Sequence, residues 1–206
     1  MDAFNKLDSE KQMQIINAAM KEFAEKGFDQ ASTNSIVKEA SIGKGMLFYY
    51  FKSKQDLYHY LIGYSLDFLK NEYLNKVNIR ETDFMERVKQ ATTIKMKSYK
   101  NHPDLFHFLG NIFMNDEKLP NNLQQKYEEL HKLSYSLLYD NINTALFRTD
   151  IDVKKAFRLI QWSIDGYEND LIGRLKGKNL ATLDFDPLWD EFFEYLEVLK
   201  KAFYEK

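Results

Sequence analysis

The stretch Ser41–Lys54, SIGKGMLFYYFKSK, decides how this chain is read. It opens on a short turn, continues as a single short helix from about Gly43 to Phe51, and closes on a second turn at Ser53-Lys54. Immediately upstream, Ser32–Ala40 (STNSIVKEA) reads as another short helix, with Ile36, Val37 and Ala40 able to face inward. Two short helices joined by a tight turn, the second bearing polar and aromatic groups, is how a protein presents a helix to a DNA major groove.

The second helix divides by face. Leu47 and Phe51, at i and i+4, point into a small helical core and fix the orientation. Tyr49 and Tyr50 cannot both be buried, because consecutive helical residues lie about 100° apart. Phenols at the surface suit phosphate hydrogen bonding and packing on sugar or thymine methyl groups. Gly45, lacking a side chain, lets the backbone approach a groove edge, and Lys44 and Lys54 flank the surface where they can neutralise phosphates. Taken singly, each Tyr is ordinary core and each Lys a solvated charge. The joint pattern of cap, turn, paired tyrosines and low acid content points to DNA.

Working outward, the net charge of −2 argues against a generic polyanion binder. The distribution says more than the sum. Gln30–Gln55 holds four lysines (Lys38, Lys44, Lys52, Lys54) against Glu39, whereas acids gather elsewhere, notably in Asp184–Glu197. The 206 residues contain 8 Gly and 3 Pro, too few for many turns, and 44% are hydrophobic, enough for a packed core. Pro103, Pro120 and Pro187 each stand where a helix can begin. The expected fold class is all-α. With no cysteine, disulfides, thiolate catalysis and Cys-bearing zinc sites are excluded. MDAFNKLDSE lacks a signal pattern and no apolar stretch spans a bilayer, so a soluble cytoplasmic protein without membrane contact is expected.

Helical spacing of Met13, Ile16, Met20 and Phe23, opened by a capping box from Ser9 to Gln12 and closed at Gly27, predicts the first long helix. Ser53, with Asp56 three residues on, caps a helix whose apolar residues run from Leu57 to about Val77, roughly 35 Å at ~1.5 Å per residue. A functional boundary within it, near residue 55, separates residues 1–55 from residues 56–206. Further helices are expected at about Asp83–Asn101, Pro103–Asn115, Pro120–Phe147, Val153–Lys176 and Pro187–Tyr204. The last two carry apolar residues on more than one side, which calls for two partners, one of them a second subunit. Phe157, Ile164, Trp189, Phe193 and Leu196 are the candidate dimer residues.

The segment from about Glu10 to Leu57 resembles the N-terminal domain of the TetR/AcrR family of bacterial transcriptional regulators. The likeness is carried by Phe23-Ala24-Glu25-Lys26-Gly27-Phe28, by the Ser32-Thr33 helix start, and by Lys44-Gly45-Met46-Leu47-Phe48-Tyr49-Tyr50-Phe51 followed by Lys52-Ser53-Lys54. It covers about a quarter of the chain. The resemblance implies a three-helix helix-turn-helix DNA-binding domain followed by a larger helical ligand-binding and dimerisation domain. By position it implies DNA contacts from Thr33, Lys44, Gly45, Tyr49, Tyr50 and Lys54. Ser41 stands where that turn usually has Gly, Gly43 where a Ser often caps, and Phe48 where a Tyr is usual.

The resemblance further implies a homodimeric repressor that leaves a pseudo-palindromic operator when a small molecule binds the C-terminal domain, with the helix after Ser53 as lever. Phe106, Phe113, Tyr127, Tyr135, Trp162 and Tyr167 are candidates to line a pocket for an apolar or aromatic effector. Asp165, Glu168 and Asp170 cluster on one stretch and read more simply as a solvated face. No cofactor or metal is implied: His102, His107 and His131 lack metal-ligand spacing, and no phosphate loop or nucleophile elbow occurs. An enzyme is therefore not expected. The alternative is a helical small-molecule-binding protein or enzyme that keeps the N-terminal unit only as structure.

Overall fold

Side-chain caps start α2, α5 and α9 in a computed structural model that describes residues 2–114 and 118–205. In chain order the helices are α1 (Asp2–Asn5), α2 (Ser9–Gln30), α3 (Thr33–Glu39), α4 (Lys44–Tyr50), α5 (Lys54–Phe68), α6 (Phe84–Asn101), α7 (Pro103–Met114), α8 (Asn121–Tyr139), α9 (Val153–Leu175) and α10 (Asp186–Phe203). The fold is all-α. No strand occurs among the described residues, and the Phe147–Tyr204 pairing is an isolated antiparallel bridge.

By packing the chain divides into two units. The first comprises residues 1–69, 102–128 and 179–182; the second comprises 70–101, 129–178 and 183–206. The first unit is built on α2, whose buried Ile15, Ile16, Ala19, Met20 and Phe23 form one face. Phe23 meets Tyr58 of α5 at 4.9 Å and Phe108 of α7 at 6.4 Å between ring centroids. α1 closes the far side by inserting Phe4 against Tyr50, Phe51 and Tyr60. Burying each such ring stabilises the unit by about 1.5–3 kcal/mol. The second unit packs α6, α9 and α10 around Phe84, Met85, Phe147, Ile160, Phe192 and Leu196.

Three helix ends differ from expectation. The first long helix is capped by Asp8, whose carboxylate accepts the Lys11 N–H at 2.8 Å, while the Gln12 side chain donates to the Leu7 carbonyl. The cap therefore falls one residue before the expected Ser9, and the reciprocal bond of a capping box does not form. The helix after Ser53 is regular only to Phe68; a π-helical turn, Leu69–Tyr73, and a 3₁₀ turn, Leu74–Lys76, follow. Apolar spacing cannot distinguish an α turn from a π turn one residue longer, and Asn71 and Asn75 are weak helix formers here. The helix expected over 120–147 stops at Tyr139, where Asn141 takes a left-handed conformation, φ 56°.

That third stop has a dedicated partner. Arg87 of α6 is buried, and its guanidinium donates to the carbonyls of Asp140 (2.6 Å), Leu137 (3.2 Å) and Asn141 (3.4 Å) at the end of α8. It also donates to Ile79 and Glu81 in the loop before α6. A cation at the negative end of a helix dipole satisfies carbonyls that have no intrahelical donor. The expected end of α7 at Asn115 lies outside the described residues.

Candidate nucleic-acid interface

The α3–α4 turn is closed by two backbone hydrogen bonds. The Ile42 N–H donates to Val37 O at 3.0 Å and the Ser41 N–H to Lys38 O at 3.2 Å, with Ser41 left-handed at φ 51°. This is a Schellman termination whose left-handed position is normally glycine. A non-glycine residue there costs about 1–2 kcal/mol.

Two lysines fasten the ends of α3. Lys11 of α2 donates to the carbonyls of Ala40 (3.3 Å) and Ser41 (3.4 Å) behind the helix. Lys54, at the start of α5, donates to Phe28 (2.7 Å), Asp29 (3.1 Å) and Ala31 (3.1 Å) ahead of it, and lies 4.8 Å over the Phe28 ring. All three N–H groups of the Lys54 ammonium thus have backbone acceptors. Lys54, expected at phosphate, is placed as an internal clamp. Ser53 caps α5 as its sequence predicts, accepting the Asp56 N–H at 3.0 Å.

On α4 the inward side is Leu47 and Tyr50, continued by Phe51, all buried. Tyr50, expected at the surface beside Tyr49, is 6% exposed and packs on Phe4, because i and i+3 share a face as surely as i and i+4. Tyr49 is 69% exposed. Phe48 and Met46 are exposed at 37% and 46%. Lys44 and Gly45 are exposed, and Thr33 half-exposed at the first residue of α3. At about 100° per residue, Gly45 falls at the centre of the outward arc with Phe48 and Tyr49 on its two shoulders. A Cβ placed on Gly45 would meet no atom within 4 Å, so nothing inside the chain requires glycine there. The acid of this region, Glu39, has Lys21 at 3.6 Å, leaving the surface basic.

The C-terminal candidates separate. Phe106, Phe113 and Tyr127 lie in the first unit, where Phe113 stacks on Tyr127 at 4.6 Å. Tyr135, Trp162 and Tyr167 lie in the second. Trp162 is 57% exposed, with the Arg158 guanidinium over its ring. The Tyr167 hydroxyl is within hydrogen-bond reach of the Leu188 carbonyl (2.9 Å) and of Glu191 (3.1 Å); burial, then Glu191, push it up to about 12.

The dimer candidates also need correction. Ile164, Trp189 and Leu196 are buried within their own unit, Phe157 packs on Phe84 at 5.1 Å, and Phe193 is half-buried. What α9 and α10 turn outward is Leu159, Trp162, Tyr195 and Val198. Beside the last two runs a groove of about 380 Å³ lined by Ser163, Ile164, Tyr167 and Phe192. Among the described residues no cluster of His, Asp and Glu is disposed to hold a metal ion, and no helix is long and apolar enough to cross a membrane.

Comparison with known proteins agrees with this geometry. Residues 15–61, from within α2 to within α5, match the family model of bacterial regulatory proteins of the tetR family. An HTH-type transcriptional regulator of Staphylococcus aureus (strain USA300) is 26% identical, the match covering 79% of this chain and 91% of that protein. A TetR family regulator from Chloroflexus aurantiacus superposes over 100% of this chain and 99% of its own with a TM-score of 0.63 at 21% identity. The transcriptional regulator FadR of Bacillus subtilis, solved with stearoyl-CoA, superposes over 89% of this chain and 96% of its own with a TM-score of 0.52 at 22% identity. With the helix pair, its Schellman turn and the outward arc of α4 in place, residues 15–61 are similar to the bacterial regulatory proteins of the tetR family.

Proposed function

We propose that the protein is a homodimeric, ligand-responsive repressor of transcription acting in the cytoplasm. Residues 1–55 read a pseudo-palindromic operator and residues 56–206 carry the effector and dimer functions. The observation that carries this reading is the α4 surface: a glycine-centred arc of exposed Lys44, Met46, Phe48 and Tyr49, with no carboxylate on the helix. A basic, close-approaching helix face suits a major groove, where phosphates position and base edges specify. The Thr33 hydroxyl, at the start of the preceding helix, suits a phosphate contact.

Two copies place their α4 helices one duplex turn apart, about 34–36 Å. The outward apolar face of α9 and α10 supports pairing between copies, since a patch of that kind is rarely left to water. The stearoyl-CoA held by the Bacillus subtilis regulator supports a small-molecule effector with an apolar part. Release follows if the effector binds tightly to a state whose α4 separation no longer fits the operator.

The test is fluorescence anisotropy of the full chain on labelled duplexes from its own upstream region across a salt series. The reading requires affinity that falls steeply with salt and one sequence preferred over bulk DNA by at least about a thousandfold. Equal, weak binding to every duplex would leave the N-terminal unit as structure and favour the small-molecule-binding alternative.

A further inference from the structure

The outward arc of α4 has an unusual chemical inventory for a surface that reads bases. Its seven residues, KGMLFYY, include no Arg, Asn, Gln, Asp or Glu. Those are the side chains whose forked donors and acceptors distinguish guanine, adenine and cytosine in the major groove. Lys44 stands at the first residue of the helix, at the rim of the arc, and can supply at most one guanine contact. The arc itself is apolar: Met46, Phe48 and the Tyr49 ring are exposed around Gly45. One base feature in the major groove is apolar, the C5-methyl of thymine.

We propose that this chain selects its operator chiefly through thymine methyl groups, with Phe48 and Met46 as the specificity-determining side chains. The inference rests on the DNA-binding reading above and deepens it. Gly45 at the centre of the arc brings the helix backbone toward the groove floor, and Phe48 on its shoulder then meets methyls at van der Waals distance. Charge complementarity commits the face to DNA rather than to another protein surface. Lys38, Lys44 and Lys52 are exposed around it, and the neighbouring Glu39 is paired with Lys21. The helix before the turn crosses the backbone in this architecture and carries Thr33, Asn34 and Ser35 at its start. Its polar groups serve phosphate, and base choice falls to α4.

The experiment uses the full chain. Duplexes with about 20 random base pairs, long enough for two half-sites, are enriched by binding. Each thymine of the selected half-site is then replaced singly by deoxyuridine, which removes only the methyl. The expected result is thymine-rich half-sites in which at least one replacement lowers affinity about fourfold, the worth of one buried methyl. The Phe48→Ala or Met46→Ala variant then loses that sensitivity while keeping its thermal transition, since both side chains are exposed. A selected site indifferent to every deoxyuridine, and weakened instead by 7-deazaguanine, overturns the inference and leaves DNA binding intact. Enrichment of no sequence overturns both.

Discussion

The α4 arc and the α9–α10 face both expose large apolar side chains, and they are surrounded by opposite charges. Met46, Phe48 and Tyr49 have lysines beside them, and the one acid nearby is paired. Tyr195 and Val198 lie on a helix, Asp186–Phe203, carrying five carboxylates against two lysines. Hydrophobic exposure alone names no partner. A basic frame admits a polyanion, whereas an acidic frame repels it and admits a surface that can bring its own cations. On α9 of the same unit, Lys154 and Arg158 add cations, while Lys155 and Arg174 are already paired with Asp152 and with Asp170 and Glu191.

The largest way to break this contrast is to put a charge into the apolar centre of the second face. Val198→Glu is expected to give a monomer in sedimentation velocity at micromolar concentration. Operator affinity should fall about a hundredfold or more as the second half-site loses its tether. Since Val198 is 61% exposed, the fold of the unit survives. A Val198→Glu protein that still sediments as a dimer would place the interface elsewhere.

Next in size is Gly45→Ala, where stability and binding should move in opposite directions. Alanine favours the helix by about 0.5–1 kcal/mol and meets no neighbour, so Tm rises by about 1–4 °C. The added methyl stands where the backbone approaches DNA, and operator affinity should fall about tenfold, ~1.4 kcal/mol. Unchanged affinity would remove Gly45 from the interface.

Much of this was legible in the chain. The all-α class, the helix pair, the Ser53 cap and the glycine at the surface follow from period, cap chemistry and turn residues. Where the structure departs from the sequence expectation on a helix face, register prevails over residue type. The resemblance places Tyr50 at DNA by position, although it lies three residues from Leu47 and therefore on the buried side. Trp189 and Leu196 were set at a subunit contact because α10 is apolar on two sides; they occupy its inward side, and the less conspicuous Val198 occupies the outward one. Lys11 and Arg87 were not legible at all. Lys11 reaches carbonyls 29 and 30 residues away, and Arg87 joins nearby Ile79 and Glu81 to carbonyls 50 to 54 residues away; no local pattern encodes such long-range bonds.

Two lysines sharpen the first face. Lys44 is exposed and Lys54 is bonded to three carbonyls, so the same substitution should act on different quantities. Lys44→Ala should leave Tm unchanged and reduce the slope of log affinity against log salt by about 1. Lys54→Ala should leave that slope unchanged and lower stability by about 1–3 kcal/mol, because three carbonyls lose a charged donor. A slope change in Lys54→Ala would mean that its ammonium leaves the Phe28–Ala31 carbonyls for phosphate in the complex.

The smallest effect belongs to the turn between the helices. Ser41 holds the left-handed position of a hydrogen-bonded Schellman turn at φ 51°. Glycine would remove a steric cost of about 1–2 kcal/mol, offset by about 0.5–1 kcal/mol of extra freedom in the unfolded chain. Ser41→Gly should therefore raise Tm by a few degrees at most, and because the turn keeps its Ile42–Val37 and Ser41–Lys38 bonds, α4 keeps its orientation. Operator affinity and salt slope should stay within about twofold, ~0.4 kcal/mol. A stabilised protein with unchanged binding would show that the turn is scaffold. A tenfold loss of affinity would show instead that the Ser41 side chain itself reaches DNA, extending the basic, apolar arc of α4 by one polar residue on its upstream edge.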